Sequence, residues 1–212
     1  EEISKIRSEG TTSIPELEVL SVHELNLLIP ADSVHQGFVT ISEALQEPDF
    51  DGFLEKNKTT RHLTLVLLDQ VTDPQNIGAI TRSAVALGAH GIILQSRNAP
   101  KLDGMLAKAA SGAIEYIPVF RVTNIARAIR KMQEFDISCF GLAGESEIAI
   151  NKMPFTARVA LVLGSEGAGL RRLTRESCDQ LVSLPTVNHF STLNVSNAAS
   201  IALYELQRRK EV

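Results

Sequence analysis

The chain has 212 residues, with 21 basic against 25 acidic side chains and 44% apolar residues. That apolar share excludes bulk disorder, because enough surface can be buried to offset chain entropy. No apolar run approaches the ~18 residues of a membrane span, and the opening EEISKIRSEG lacks the apolar core of a secretory signal. Membrane association is therefore not expected.

Charge is unevenly spread. Residues 1–60 carry 12 acids and 4 bases, net −8, whereas residues 61–212 carry 17 bases and 13 acids, net +4. The leader reads either as a solvated linker or as a foil to a body that alone faces a polyanion. A surplus this small decides nothing by itself. Cys139 and Cys178 lie far apart without neighbouring histidines, so neither a disulfide scaffold nor a metal site is indicated, and a reducing, cytoplasmic setting is expected.

In chain order, Glu1 stands where a Met would begin a full chain, so a processed or trimmed protein is expected. LEVLSVHELNLLIP (17–30) is one short apolar stretch, and the polar QEPDFDGFLEKNKTTRH (46–62) reads as a linker or surface loop. From residue 63 strands and helices alternate. LTLVLL (63–68), GIILQ (91–95), IPVFRV (117–122), ISCFGL (137–142), RVALVL (158–163) and QLVSLP (180–185) are the expected strands. Ile77, Ile80, Ala84 and Leu87 share one face of a first helix that Gly88 stops. Thr123 is placed to cap a helix over 124–135, with Ile125, Ile129 and Met132 on its apolar stripe. A last helix over about 194–210 turns Val195, Ala198, Ala199, Ala202, Leu203 and Leu206 inward. This alternation predicts an α/β domain, a mostly parallel sheet with helices on both faces.

Ligands of such sheets bind at loops leaving the carboxyl ends of strands, and three of these loops are unusual. DQVTDPQNIGAITR (69–82) offers Asn76, which reads either as a helix N-cap or as a ligand-facing amide, and Arg82 nearly two turns on. An arginine beside an amide suits a phosphate clamp. GSEGAGLRR (164–172) has three glycines in six positions, so its backbone can approach a ligand closely. It is neither the dinucleotide fingerprint nor a P-loop, and Glu166 would repel a phosphate, which favours a phosphate-free nucleoside or a cationic ligand. LPTVNHFSTLNVSNAAS (184–200) clusters Ser191, Thr192, Asn194, Ser196 and Asn197 where the last helix begins. These serve either as redundant caps or as the contacts of a polar substrate. His189 stands alone there, and no nucleophile triad or metal-ligand spacing is present.

Together, DPQNIGAITR, LVLGSEGAGL and LPTVNHFSTLNVSNAASIALYE, with KAASGAIEYIPV (108–119) between them, resemble the three ordered motifs of the SpoU (TrmH-like) family of RNA ribose methyltransferases in the SPOUT superfamily. The resemblance runs from about SVHQGF (33–38) to the C-terminus. It implies a C-terminal trefoil knot, an exception to the usual ban on knots, a homodimer with each site completed across the interface, and S-adenosylmethionine as methyl donor. The donor contacts implied are Gly164, Leu184 and Leu193, with Ala143 and Gly144 bordering the pocket, and no metal. The implied RNA-facing, catalytic residues are Asn76, Arg82, Glu166, Thr192 and Asn194. Arg82 is better placed as a phosphate clamp than as a base, since a guanidinium is a poor proton acceptor. Two departures stand out: Thr192 replaces the motif's serine, and VNHF (187–190) is bulkier than the usual glycine-rich approach.

The resemblance also divides the chain into the remnant of an N-terminal substrate-binding domain (1–38), a linker or surface segment (39–62) and the methyltransferase domain (63–212). GLRRLTRESCDQLVSLP (169–185) favours the branch that methylates a guanosine ribose of 23S rRNA over the tRNA branch. A non-catalytic RNA-binding paralogue is the reading from another class, opposed by the retention of Asn76, Arg82, Glu166 and Asn194. A Rossmann oxidoreductase lacks both its glycine fingerprint and its ribose-binding acid.

Overall fold

The computed structural model describes residues 17–30, 33–41, 45–97, 99–100, 104–154, 156–187 and 193–210. The chain separates into two units, residues 1–43 and 44–212. In the first, helix α1 (Val22–Leu27) opens on a capping box in which Ser21 and Glu24 satisfy each other's backbone amides. No residue of α1 is buried.

The second unit is built on six parallel strands: β1 (Leu63–Asp69), β2 (Gly91–Gln95), β3 (Val119–Val122), β4 (Ser138–Leu142), β5 (Arg158–Gly164) and β6 (Gln180–Val182). Their order across the sheet is β3-β2-β1-β5-β4-β6. All seven residues of β1 are buried, as a central strand covered on both faces requires. The two-residue strand period then sorts side chains into two cores. Leu63, Leu65 and Leu67 enter one with Ile93, Phe120, Ala160 and Val162, while Val66 and Leu68 enter the other with Ile92, Leu94, Leu161 and Leu163. Helices α3 (Pro74–Ala86), α4 (Gly104–Ala109) and α7 (Val195–Arg208) cover the second core. Helices α2 (Phe50–Lys56) and α5 (Ile125–Glu134) cover the first, and α6 (Arg172–Ser177) packs against α5.

Two expectations need correction, and one open alternative closes. The segment read as a linker or surface stretch (39–62) contains α2, capped by Asp49. Its Leu54 is fully buried and its Phe50 and Phe53 rings lie 5.4 and 4.8 Å from the Phe120 ring. The polar residues that suggested a loop form the outer face of a short amphipathic helix, and burying Leu54 alone contributes roughly 1.5–3 kcal/mol. Asn76 is not the N-cap of α3. Asp73 holds that place, accepting from the Gln75 amide at 3.0 Å, and Pro74 occupies the first turn, where its missing N–H costs nothing. Nor does Thr123 cap α5; Asn124, in extended conformation, accepts from the Arg127 amide at 3.0 Å. The inward set expected for the last helix matches the buried residues of α7.

Both cysteines are structural. Burial, helped by the charge of Asp179, pushes the Cys139 thiol far above its ordinary range and the Cys178 thiol up to about 12. The thiolate is the reactive form. Neither residue is therefore expected to be alkylated by iodoacetamide at neutral pH in the native protein, whereas both react in denaturant; intact mass counts the adducts. Prompt native labelling of one thiol would show that the Cys178 end of α6 opens.

Candidate active site

The strand order reverses direction between β1 and β5: the chain leaves β1 towards β2 on one side and leaves β5 towards β6 on the other. A crevice opens outside the carboxyl ends of such a pair. Asp69, the last residue of β1, pairs in register with Gly164, the last residue of β5, and a cleft of about 970 Å³ begins there.

The turn after β5 forms one wall. Gly167 and Gly169 have φ of 80° and 65°, the left-handed region in which a side chain is strained. They let the chain fold back so that the Gly169 amide donates to the Ser165 carbonyl at 2.9 Å. Gly164 is needed for another reason. A Cβ there would stand 2.1 Å from the Gly169 carbonyl carbon and 2.3 Å from the Leu170 nitrogen. Ala143 and Gly144 after β4, Leu184 after β6, and Leu193 before α7 line the remaining sides. All five residues expected to hold the methyl donor thus border one cleft.

Across its mouth, three of the expected catalytic residues meet. Asn194 caps α7 through its Oδ1, accepting from the Ser196 amide at 2.9 Å and the Ser196 hydroxyl at 2.6 Å. That leaves its Nδ2 free to donate to Asn76 Oδ1 at 3.0 Å and to Glu166 Oε1. Asn76 Nδ2 donates to the same carboxylate oxygen at 3.3 Å. One acid and two amides, drawn from the first turn of α3, the glycine turn and the cap of α7, form a closed polar triangle. Asn194 is therefore both a cap and a corner of the triangle. Arg82 lies further along α3 and its Nη1 donates to the Ser111 hydroxyl at 3.4 Å. Thr192, with His189 and Ser191, lies outside the described residues. Asn197 lines the cleft.

Sequence reasoning missed two ion pairs near this cleft. Arg175 of α6 pairs with Glu145 at its edge. Glu145's own backbone amide and the Arg175 guanidinium hold that carboxyl below the usual carboxylate range. Behind the cleft, Asp69 pairs with Arg171 at 2.6 Å. An acid ending an otherwise apolar strand was the available signal for Asp69, whereas Glu145 sits in an ordinary polar turn. Among the described residues no cluster of His, Cys, Asp or Glu could hold a metal ion, and no helix is long and apolar enough to cross a membrane.

A parallel α/β domain with its glycine turn and polar triangle at the switch point has the fold of the SpoU methyltransferases. The SpoU methyltransferase AviRb from Streptomyces viridochromogenes, solved in complex with the cofactor AdoMet, matches with a TM-score of 0.66 and 33% identity, over 71% of this chain and 58% of that one. An AdoMet-bound rRNA methyltransferase from Sinorhizobium meliloti matches with a TM-score of 0.64 and 25% identity, over 74% and 60%. The pattern of the SpoU rRNA Methylase family covers residues 63–204. The 23S rRNA (guanosine-2'-O-)-methyltransferase RlmB of Yersinia pestis is 43% identical over 84% of this chain and 72% of its own length. That of Escherichia coli K12 is 40% identical over 84% and 73%. The chain belongs to the SpoU rRNA methylase family.

Proposed function

We propose that this chain transfers a methyl group from S-adenosylmethionine to the ribose 2'-hydroxyl of a guanosine in 23S rRNA. The observation that carries the reading is the Asn76–Glu166–Asn194 triangle at the mouth of a cleft walled by backbone and small apolar side chains.

The cleft suits the donor. Gly164 keeps the wall of the turn flat, Leu142, Leu163, Leu170 and Val195 offer apolar contact for a base, and Glu145 and Glu166 supply negative charge for a cationic ligand. When bound, S-adenosylmethionine supplies an electrophilic methyl on a positively charged sulfur. What remains for the protein is positioning and proton management at the ribose. Asn76 keeps one Nδ2 proton and one Oδ1 lone pair at the cleft mouth, where they orient the hydroxyl, while Asn194, committed to Ser196, Asn76 and Glu166, holds Asn76 in place. Glu166 fixes both amides by accepting from each, and places a negative charge where the hydroxyl must lose its proton. Arg82, on the same helix as Asn76, clamps the adjoining RNA phosphate, and Thr192 offers a further hydroxyl in the third motif.

The same reading extends to a C-terminal trefoil knot, a cytoplasmic homodimer whose sites are completed across the interface, and an N-terminal substrate-binding domain to which residues 1–38 belong. In support of a second copy, Ile201 and Tyr204 are 48% and 60% exposed on the outer face of α7.

Arg82→Lys is expected to weaken RNA binding and lower turnover by on the order of tenfold, since an ammonium cannot reproduce a guanidinium's paired donors. Near-full turnover with unchanged RNA affinity would remove the clamp. The function itself is tested by mapping ribose methylation in total RNA from cells with and without the protein. Loss of one guanosine mark in 23S rRNA is expected. Loss of a tRNA mark with rRNA intact would move the substrate, and no heat on titration with S-adenosylmethionine would favour a non-catalytic paralogue.

A further inference from the structure

We infer that Asp69 is a positioning residue: it fastens both ends of the glycine turn 164–170 and thereby holds Glu166 against Asn76 and Asn194. It does not line the cleft, so it acts only through the turn.

The strand β1 delivers six apolar or hydroxyl side chains and then a carboxylate that is 0% exposed. A buried acid is costly unless paired and hydrogen-bonded. This one is answered three times by a single residue. Asp69 Oδ2 accepts from the Arg171 backbone N–H at 3.1 Å, and Oδ1 accepts from Arg171 Nε at 2.7 Å and Nη2 at 2.6 Å. Arg171 is the residue at which the turn ends and α6 begins. The other end of the turn is Gly164, paired in register with Asp69 itself. One residue of β1 therefore holds the start of the excursion through its backbone ladder and the finish through its side chain.

Between these anchors the turn closes on itself. The Gly169 amide donates to the Ser165 carbonyl at 2.9 Å and the Ala168 amide to the Glu166 carbonyl at 3.0 Å. With both ends fixed and the middle cross-linked, the Glu166 backbone has little slack. Its carboxylate stays where two amides from distant segments converge. An apolar side chain in place of Asp69 would fill the same space but would leave the Arg171 amide and guanidinium untethered. Arg171 is 46% exposed, so solvent would compete for it at once and the turn's far end would lose its tie to β1.

The test uses the full chain with Asp69→Asn and, separately, Arg171→Gln. The second removes the two guanidinium contacts from the exposed side while leaving the Arg171 backbone N–H on Asp69, and it keeps the proposal testable if the buried substitution does not fold. Amide hydrogen exchange read by peptide mass is expected to speed up by about tenfold or more within 165–171 in either variant. Peptides from β1 and the body of β5 are expected to keep wild-type exchange. KM for S-adenosylmethionine should rise and kcat should fall together, because the turn forms the cleft wall and also carries Glu166. The double variant should be no worse than the worse single one. Unchanged exchange in the turn, or acceleration spread evenly over β1 and β5, would overturn the inference; the second result would make Asp69 a stability residue only. The kinetic arm rests on the methyltransferase reading. The exchange arm does not, so absence of methyl transfer by the wild type would defeat that reading while leaving the clamp to be judged on exchange.

Discussion

Gly164→Ala is expected to lower affinity for S-adenosylmethionine by on the order of a hundredfold, the scale that an ångström-level displacement in a site produces. The atoms that an added Cβ meets are backbone: the Gly169 carbonyl carbon at 2.1 Å, the Leu170 nitrogen at 2.3 Å and the Gly169 oxygen at 2.4 Å. No rotamer change relieves such a contact. Either the turn lifts off the end of β5, or β5 shifts against β1 and breaks the Asp69–Gly164 register. Overpacking of this kind costs roughly 1–3 kcal/mol, so the melting temperature should fall as well. Gly144→Ala is the control. A Cβ at Gly144 meets nothing within 4 Å, so its melting temperature should match wild type, and any loss of affinity there reports contact with the ligand itself. Calorimetry and thermal melts on both variants decide the matter, and wild-type affinity in Gly164→Ala would show that the turn is not the cofactor wall.

Glu166→Gln is expected to cut turnover by on the order of a hundredfold, comparable with losing one electrostatic group from a preorganised site. The shape of the side chain is kept, but two charge-assisted acceptances from Asn76 and Asn194 become neutral ones, roughly half as strong. The triangle lies at the exposed mouth of the cleft, so its melting temperature should hardly move. Asn194→Ala should differ in kind. It removes the same donor and also the cap of α7, worth about 1 kcal/mol, so activity and melting temperature should fall together. A Glu166→Gln protein that melts as early as Asn194→Ala would show that the triangle serves stability and not the reaction.

How much of this was legible in the sequence depends on the range of the interaction that sets each feature. The apolar blocks of β1, β2 and β5 and the inward stripe of α7 follow from local periodicity, and they appear where that periodicity put them. Local rivalry between neighbouring cap residues was harder. Thr123 reads as the cap, but its neighbour Asn124, the stronger cap former, takes up the extended backbone and accepts from the Arg127 amide. Asn76 stands open between cap and ligand-facing amide because its residue type suits both, and Asp73–Pro74 upstream takes the cap. Helix α2 was missed because its two inward residues, Phe50 and Leu54, gain their partners from Phe120 and the β1 face, far away in sequence. For the site, motif resemblance indicated which residues to gather. It did not indicate that Asn194 would divide its amide between a cap and a cluster, or that Arg171 would reach back 102 positions to Asp69.

The polar triangle has a further consequence, for the order of assembly. Asn76 and Asn194 are separated by 118 positions and Glu166 lies 90 from Asn76, with five strands of the sheet laid down between the first and last of them. Loop closure over such distances is entropically expensive until the intervening chain is already compact. The triangle therefore closes late, after the central strands have paired and as α7 docks its apolar face. A chain still being synthesised has its glycine turn before it has Asn194. The triangle thus arrives with the last helix, and its closure is itself a report that the whole domain has folded.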